Sequence, residues 1–343
     1  MQEGSPARTR EEPSLKLASF STPDNPRVRV GLVLNDEIVD AAQGARALGF
    51  TVPDQMQALI EQYGQAERGL RALLEQAQQA NGRLSAIPAL QGSGLVQPLS
   101  AVQLAAPIPR PRKNIMCLGL NYAEHARESA AARGRQAELP QYPVIFTKAP
   151  TTVNGPFGEV VIDPAVSTQI DWEVELAVIL GKGGKHIRED EALSYVFGYT
   201  VLNDISARDL QAQHQQYFRG KSIDGYCPMG PWIVTADEIP DPHRLTLRLR
   251  VNGVTKQEAS TDQMIFSIPR IIAVLSNGMT LEPGDIIATG TPSGVGFART
   301  PPEFLRPGDI METEIVEIGV MRNRVVGVEE AHSSARATSA QQL

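Results

Sequence analysis

Beyond about residue 115 the chain is a succession of short β-branched runs, among them "NIMCLGL", "VIFTK", "EVVI", "ELAVIL", "FGYTVLNDI", "PWIVT", "LTLRLRVNG" and "DIIATG". Gly, Pro and Asn-Gly turns separate them. The regular strand and helix alternation of a Rossmann fold or TIM barrel does not occur, and no internal repeat is visible. This predicts an α+β chain that is mainly β, with a large rolled or sandwiched β domain over residues 115–328. Upstream, "RVRVGLVLNDEIVDAA" reads as two strands joined through Asn35-Asp36. Met56, Leu59, Ile60, Leu70, Leu73 and Leu74 recur at helical spacing until Asn81-Gly82 stops them. Residues 15–97 are therefore predicted as a small N-terminal α+β domain, and the proline-rich 98–114 as a linker. Residues 1–14 and 329–343 are polar and without period, which predicts disorder.

Composition excludes several classes. The chain carries 32 Lys and Arg against 39 Asp and Glu, a net charge of -7 with no basic run, which argues against nucleic acid as a partner. No apolar stretch approaches the roughly 20 residues that span a bilayer, and the start lacks an apolar signal core, so no membrane partner and a cytoplasmic location are expected. Cys117 and Cys227 are too few for a disulfide framework and read as structural.

The run "DWEVELAVIL" (171–180) puts three carboxylates directly before an apolar stretch. Side chains two apart on a strand share a face, so Asp171, Glu173 and Glu175 stand side by side. Trp172, Val174, Leu176, Val178 and Leu180 take the other face, while Ala177 and Ile179 continue the acidic face in apolar form. That predicts a strand buried on both sides. Carboxylates roughly 7 Å apart at such a boundary repel one another unless protons, basic side chains or a cation intervene. The pattern fits either a solvated strand edge or a site for a hard divalent cation with oxygen ligands. Downstream, "VLNDISARD" (201–209) opens from an apolar strand into Asn203, Asp204, Arg208 and Asp209. Asp204 either completes an oxygen cage with Glu173 and Glu175 or caps the segment that follows.

"GLNYAEHARESAAARGRQAELP" (119–140) leaves a strand and becomes charged and rich in small residues, a composition suited to a mobile lid. His125 and Glu128 share a helical face, where a carboxylate can orient an imidazole to take a proton from water; an ordinary solvated helix with a surface histidine is the alternative. Lys221, in "GKSIDGYCPMGPW", is either solvent-facing or set against a substrate carboxylate or enolate. Thr291 lies between turn glycines in "TGTPSGVG", which matches no dinucleotide or Walker pattern but lets a ligand approach the backbone. The other histidines, His186, His214, His243 and His332, carry no assigned role.

Together, "GLNYAEHARE", "DWEVELAVILG", "VLNDISARD", "GKSIDGYCPMGPW", "SIPRIIAVLSNGMTLEPGDIIATGTPSGVG" and "FLRPGDIMETEIVEIG" resemble, in this order and over about residues 110–327, the fumarylacetoacetate hydrolase family. The resemblance implies a mixed β-roll that is commonly dimeric. It implies Glu173, Glu175 and Asp204 as ligands of Mg²⁺, Mn²⁺ or Ca²⁺, with Asp171 as a structural acid beside them. His125 and Glu128 match the family's water-activating dyad on a lid, Lys221 matches a lysine that contacts substrate oxygens, and Arg208, Gln211 and Thr291 match positions lining the substrate site. The expected partners are a small 2-oxo acid and a second copy of the chain. The expected activity is metal-dependent hydrolysis of a C–C bond in acylpyruvate-type 2,4-diketo acids, releasing pyruvate. Oxaloacetate decarboxylation and isomerisation of a 2-hydroxy-diene-dioate use the same enolate chemistry and are alternatives. A non-catalytic metal-binding homologue is the alternative of a different class, and it would be favoured by a missing dyad or ligand residue, of which none is missing.

Overall fold

The computed structural model describes residues 14–331 and Ser333. Most of the two polar termini therefore lies outside the described residues; within them, residues 328–331 carry helical backbone. Among the described residues no helix is long and apolar enough to cross a membrane.

The fold is α+β and built on a mixed sheet of 12 strands. Its main path runs from Val96–Pro98 through Glu37–Asp40, Asn25–Leu34, Lys16–Thr22, Cys227–Thr235, Val196–Asn203, Val174–Leu180, Ile286–Ala288 and Ile115–Gly119 to Val144–Lys148. A second sheet of five strands follows the order Val254–Ser260, Thr246–Val251, Ile310–Ile315, Gly319–Gly327, Val160–Ile162. Most pairings are antiparallel, but Ile286–Ala288 runs parallel to Ile115–Gly119 and Gly319–Gly327 parallel to Val160–Ile162.

The strand Val174–Leu180 is buried along its whole length because the sheet has a core on each face. Val174, Leu176, Val178 and Leu180 pack with Leu247, Leu249, Met311 and Met321 of the second sheet. Ala177 and Ile179 point the other way, into a core shared with Leu59, Leu70 and Leu73 of the N-terminal helices. The period-two alternation thus sorts one strand between two cores, at about 1.5–3 kcal/mol of stabilisation for each fully buried large side chain.

The N-terminal elements form as their local chemistry dictates. Asn35 turns the hairpin between Asn25–Leu34 and Glu37–Asp40 with φ 53°. The helical stretch is two helices, Met56–Glu61 and Tyr63–Gln79, which meet at Gln62, and Asn81 and Gly82 end the second with φ 58° and 76°. The first strand pairs with Cys227–Thr235, Lys16 opposite Val234, so the N-terminal hairpins extend the same sheet that carries "ELAVIL". Within the proline-rich stretch, Gln103–Ala105 pairs with Lys16–Thr22 and Ile108 is buried.

Candidate active site and metal centre

Val174 is paired with Asn203, which sets the entrance of one central strand beside the exit of its neighbour. Glu173 and Asp204, each one residue beyond that pair, therefore meet. Asp204 N donates to Glu173 O at 2.9 Å, and Glu173 N donates to Asn203 Oδ1 at 3.0 Å. One carboxylate oxygen from each of Glu173, Glu175 and Asp204 lies within 4.8 Å of the others, all three residues being buried. The solvated-edge alternative fails, since none of Asp171, Glu173, Glu175 and Asp204 exceeds 4% exposure. Asp204 caps no helix either: Arg208–Gln213 starts after Ala207 with no side-chain cap.

Buried charge at this density has to be compensated. Lys221 Nζ donates to Glu173 Oε2 at 2.7 Å and to Asp204 Oδ2 at 2.6 Å. Arg208 bridges Asp171 Oδ2 at 2.8 Å and Glu173 Oε1 at 2.7 Å, and Gln211 Oε1 accepts from it at 3.1 Å. Lys148 Nζ stands 2.7 Å from Asp204 Oδ1 as an ion pair, at an angle that makes no hydrogen bond. Burial works against the charge on Glu173, but the Lys221 and Arg208 cations outweigh it and hold the carboxyl down at about 2. Glu175 goes the other way: burial first, then the charges of Asp204 and Glu173, push it well above the usual carboxylate range. Its carboxylate accepts from Gly290 N at 2.8 Å, and among the described residues no lysine or arginine forms an ion pair with it. Four acids thus face three cations, and the surplus falls on Glu175. Three hard oxygen donors with one uncompensated charge fit a divalent cation of the Mg²⁺ or Mn²⁺ kind.

His125 sits on the helix Ala123–Ala132 and is only 6% exposed, so the surface-histidine alternative fails as well. Its Nδ1 lies 2.9 Å from Glu128 Oε1. Both oxygens of Glu128 in turn accept from Gly294 N, at 3.0 and 2.9 Å. Gly294 has φ +105°, and a Cβ there would stand 2.1 Å from Lys256 O, so only glycine brings that N–H to the carboxylate. A carboxylate at Nδ1 favours the tautomer protonated there and leaves Nε2 free to accept or give a proton. Thr291 Oγ1 donates to Val174 O at 2.9 Å and accepts from Gln257 Nε2 at 2.8 Å, which fixes the same loop on the central strand.

His125, Glu173, Arg208, Gln211, Lys221 and Thr291 line one small cleft. Glu128 lies behind His125 and does not line it; nor do Glu175 and Asp204. Asp171 faces neither the cleft nor the cluster of three acids. Its Oδ1 accepts from Gly296 N at 2.7 Å and its Oδ2 from Phe297 N at 3.0 Å, so it ties Arg208 to the loop that follows Gly294.

A sequence model of the fumarylacetoacetate (FAA) hydrolase C-terminal domain matches residues 114–326. The chain belongs to the fumarylacetoacetate hydrolase family. It is 45% identical over 302 residues to the oxaloacetate tautomerase YisK of Bacillus subtilis (strain 168), covering 87% of this chain and 96% of that protein. Among solved structures, the fumarylacetoacetate hydrolase of the psychrophile Exiguobacterium antarcticum superposes with TM-score 0.72 at 35% identity, covering 92% of this chain and 100% of that one. Maleylpyruvate hydrolase of Sphingobium sp. SYK-6, solved with manganese(II) ion and pyruvate, superposes with TM-score 0.67 at 33% identity over 91% of this chain and 99% of that one.

Within this fumarylacetoacetate hydrolase fold, sequence reasoning missed several residues of the site. Lys148 ends the strand Val144–Lys148, and Ile205 O accepts from its ammonium at 3.1 Å, yet a lysine closing "VIFTK" looks solvent-facing. Gly294 acts through a backbone N–H that no side chain advertises. Phe297, Tyr217 and Arg133 line the cleft from loops and a helix end with no period to mark them.

Proposed function

We propose that this chain is an enzyme that interconverts the enol and keto forms of a short 2-oxo acid, with oxaloacetate as the substrate suggested by the tautomerase relative. The observation that carries the reading is the buried His125–Glu128 pair, whose imidazole lines the same cleft as Glu173 and Lys221. The 45% identity to a tautomerase across 96% of its length supports the reaction type.

Glu173, Glu175 and Asp204 would hold Mg²⁺ or Mn²⁺, which when bound supplies Lewis acidity toward the substrate's carboxylate and 2-oxo oxygens. Everything else falls to the chain. Lys221, anchored on Glu173 and Asp204, presents fixed positive charge where the enolate oxygen becomes negative. His125, held by Glu128, takes at Nε2 the proton that the enol oxygen loses and returns it to C3, so the formula of the acid is unchanged and no water is consumed. Arg208, Gln211 and Thr291 shape the wall against which the acid lies.

A second reading is the hydrolysis of acylpyruvates, with His125 deprotonating a water that attacks the distal carbonyl. It is favoured by the 33% identity to a maleylpyruvate hydrolase. The test follows enol absorbance and pyruvate release in the same samples, with enol-oxaloacetate and then with acylpyruvates, with Mn²⁺ or EDTA. Metal-dependent loss of enol without pyruvate supports the tautomerase. Pyruvate from acylpyruvates means the hydrolase, and pyruvate from oxaloacetate a decarboxylase. The homodimer implied by the family resemblance belongs to the same proposal, and the mass in solution by light scattering checks it.

A further inference from the structure

The edge strand of the five-stranded sheet, Val254–Ser260, has one buried residue, and it is polar: Gln257, at 1% exposure. A buried amide costs free energy unless its oxygen and both of its N–H groups find partners. Here all three do. Gln257 Oε1 accepts from Val174 N at 3.0 Å, while Nε2 donates to Thr291 Oγ1 and to Pro292 O, each at 2.8 Å. The partners fix which end of the amide is which, since an N–H must meet the oxygen and a carbonyl the nitrogen.

These partners belong to two parts of the site. Val174 stands between Glu173 and Glu175 of the acidic cluster. Thr291 and Pro292 open the loop whose Gly294 N–H is shared by both oxygens of Glu128. Up to Thr291 that loop has its own ties to the central strand: Thr289 N and Oγ1 donate to Leu176 O, and Thr291 Oγ1 donates to Val174 O. From there to Gly294 only Pro292 and Ser293 intervene. Proline has no N–H to give, and among the described residues the hydrogen bond from Gln257 is the one that its carbonyl receives. On the far side, Trp172 Nε1 donates to Gly294 O at 3.2 Å. The loop is thus gripped between the edge strand and the central strand just where it carries the N–H for Glu128. A plain structural role is the competing account, since an apolar side chain of similar size would close the same gap with no polar group to satisfy. An apolar contact, however, does not set the position of a loop as two directional hydrogen bonds from one amide do.

We infer that Gln257 is a positioning residue for the His125–Glu128 pair: it spans the two sheets and sets the 291–294 loop where Gly294 N meets Glu128, which in turn keeps the His125 proton on Nδ1. Gln257 neither lines the cleft nor bonds to an oxygen of the acidic cluster, so its loss acts on the imidazole and not on the acids. That the imidazole moves a substrate proton rests on the proposed 2-oxo acid chemistry; the tautomer of His125 does not.

The test compares Gln257→Glu and Gln257→Leu, both close in volume to glutamine, with the unmodified full-length chain. NMR of Mg²⁺-loaded protein with isotope-labelled histidine rings reads which nitrogen of a neutral imidazole bears the proton. The chain has five histidines, and the signals of His125 are those missing from His125→Ala. In the unmodified chain the His125 proton should lie on Nδ1 alone. Gln257→Glu sets a second oxygen against Pro292 O, and Gln257→Leu offers no hydrogen bond at all. Both should release the loop and turn His125 into a mixture of tautomers. With Mn²⁺ and enol-oxaloacetate, kcat should fall about tenfold, with KM and calorimetric Mn²⁺ affinity within about threefold. A His125 proton that stays on Nδ1 in both variants overturns the inference; lowered stability in urea beside it is the signature of a structural role. So does a tenfold fall in Mn²⁺ affinity, which would set Gln257 behind the acids instead. Should oxaloacetate not be converted by the unmodified chain while the tautomer responds to Gln257, the tautomerase reading fails and the role of Gln257 stands. Should oxaloacetate be converted at unchanged kcat with the tautomer unmoved, the tautomerase reading stands and the role of Gln257 fails.

Discussion

Glu37 and Glu175 are both buried in the twelve-stranded sheet, at 5% and 1% exposure, and their charges meet opposite treatment. Glu37 Oε1 accepts from Arg83 Nη2 at 2.7 Å and from Ser85 Oγ at 2.5 Å, while Oε2 accepts from Ser85 N at 3.2 Å. Burial alone would raise its pKa, but the Ser85 hydrogen bonds and then Arg83 outweigh that and lower it. Glu175 receives one backbone N–H and two carboxylate neighbours, and its pKa goes up. At Glu37 the fold supplies donors that keep the buried acid ionised. An acid crowded among like charges, with the nearby lysines and arginine spent on others, has the chemistry to hold an ion that the chain does not itself supply.

The contrast breaks most visibly at Glu173, which shares the acidic cluster with Glu175 and also anchors Arg208 and Lys221. Glu173→Ala removes an oxygen donor and leaves two buried cations with one partner fewer. Mn²⁺ affinity should fall at least about 100-fold with activity nearly abolished, and stability should drop by about 3 kcal/mol. Calorimetric Mn²⁺ titration and urea unfolding measure the two effects. Undiminished Mn²⁺ binding would dissolve the distinction between an ion-binding and a structural acid. Next in size is His125→Ala, which removes the proposed proton-transfer group but no candidate metal ligand. Turnover should fall by about 10²–10⁴ while Mn²⁺ affinity stays within about twofold, and a matched loss of metal binding would contradict the separation of roles.

How much of this could be read from the chain alone follows from the range of the interactions. The alternation in "DWEVELAVIL" is local, and the structure sorts its residues into two cores as the period requires. Residue types at strand ends marked Glu173, Glu175 and Asp204 as candidates, and helical spacing marked His125 and Glu128, each beside a plain structural alternative; the family resemblance chose between them, and the fold brings these residues to one place. The pairing of Lys16 with Val234 was not legible, because nothing near either residue encodes a contact more than 200 positions away. Lys148 was missed because a lysine ending a strand carries the same local pattern whether it meets water or Asp204. Asp171 reads as part of an acidic row, but the chain leaves the strand at Trp172 and Glu173 and turns its carboxylate toward the loop at Gly296.

Gly294 sharpens the same lesson at smaller scale, since its role lies in a backbone N–H and a left-handed φ. Gly294→Ala should cost about 1–3 kcal/mol in strain and shift the N–H away from Glu128. We expect kcat to fall about tenfold with Mn²⁺ affinity unchanged, as measured by steady-state kinetics beside the calorimetry. A variant that keeps both stability and kcat would mean that the loop yields easily and that Glu128 needs no anchor.

The smallest effect tests the structural side of the comparison. Because the folded pKa of Glu37 is below its unfolded value, the carboxylate stabilises the fold above the usual glutamate range near 4.3, and that contribution is lost as pH falls through the folded pKa. Ser85→Ala removes the hydroxyl donor at 2.5 Å and with it much of the depression. At pH 7 the variant should be about 1 kcal/mol less stable than the unmodified chain. The gap should close as pH falls below the glutamate range, where Glu37 takes up a proton in both proteins. Urea unfolding at neutral and acid pH reads this directly. A gap that stays constant with pH would mean that Ser85 contributes packing alone, and Glu37 would then owe its ionisation to Arg83.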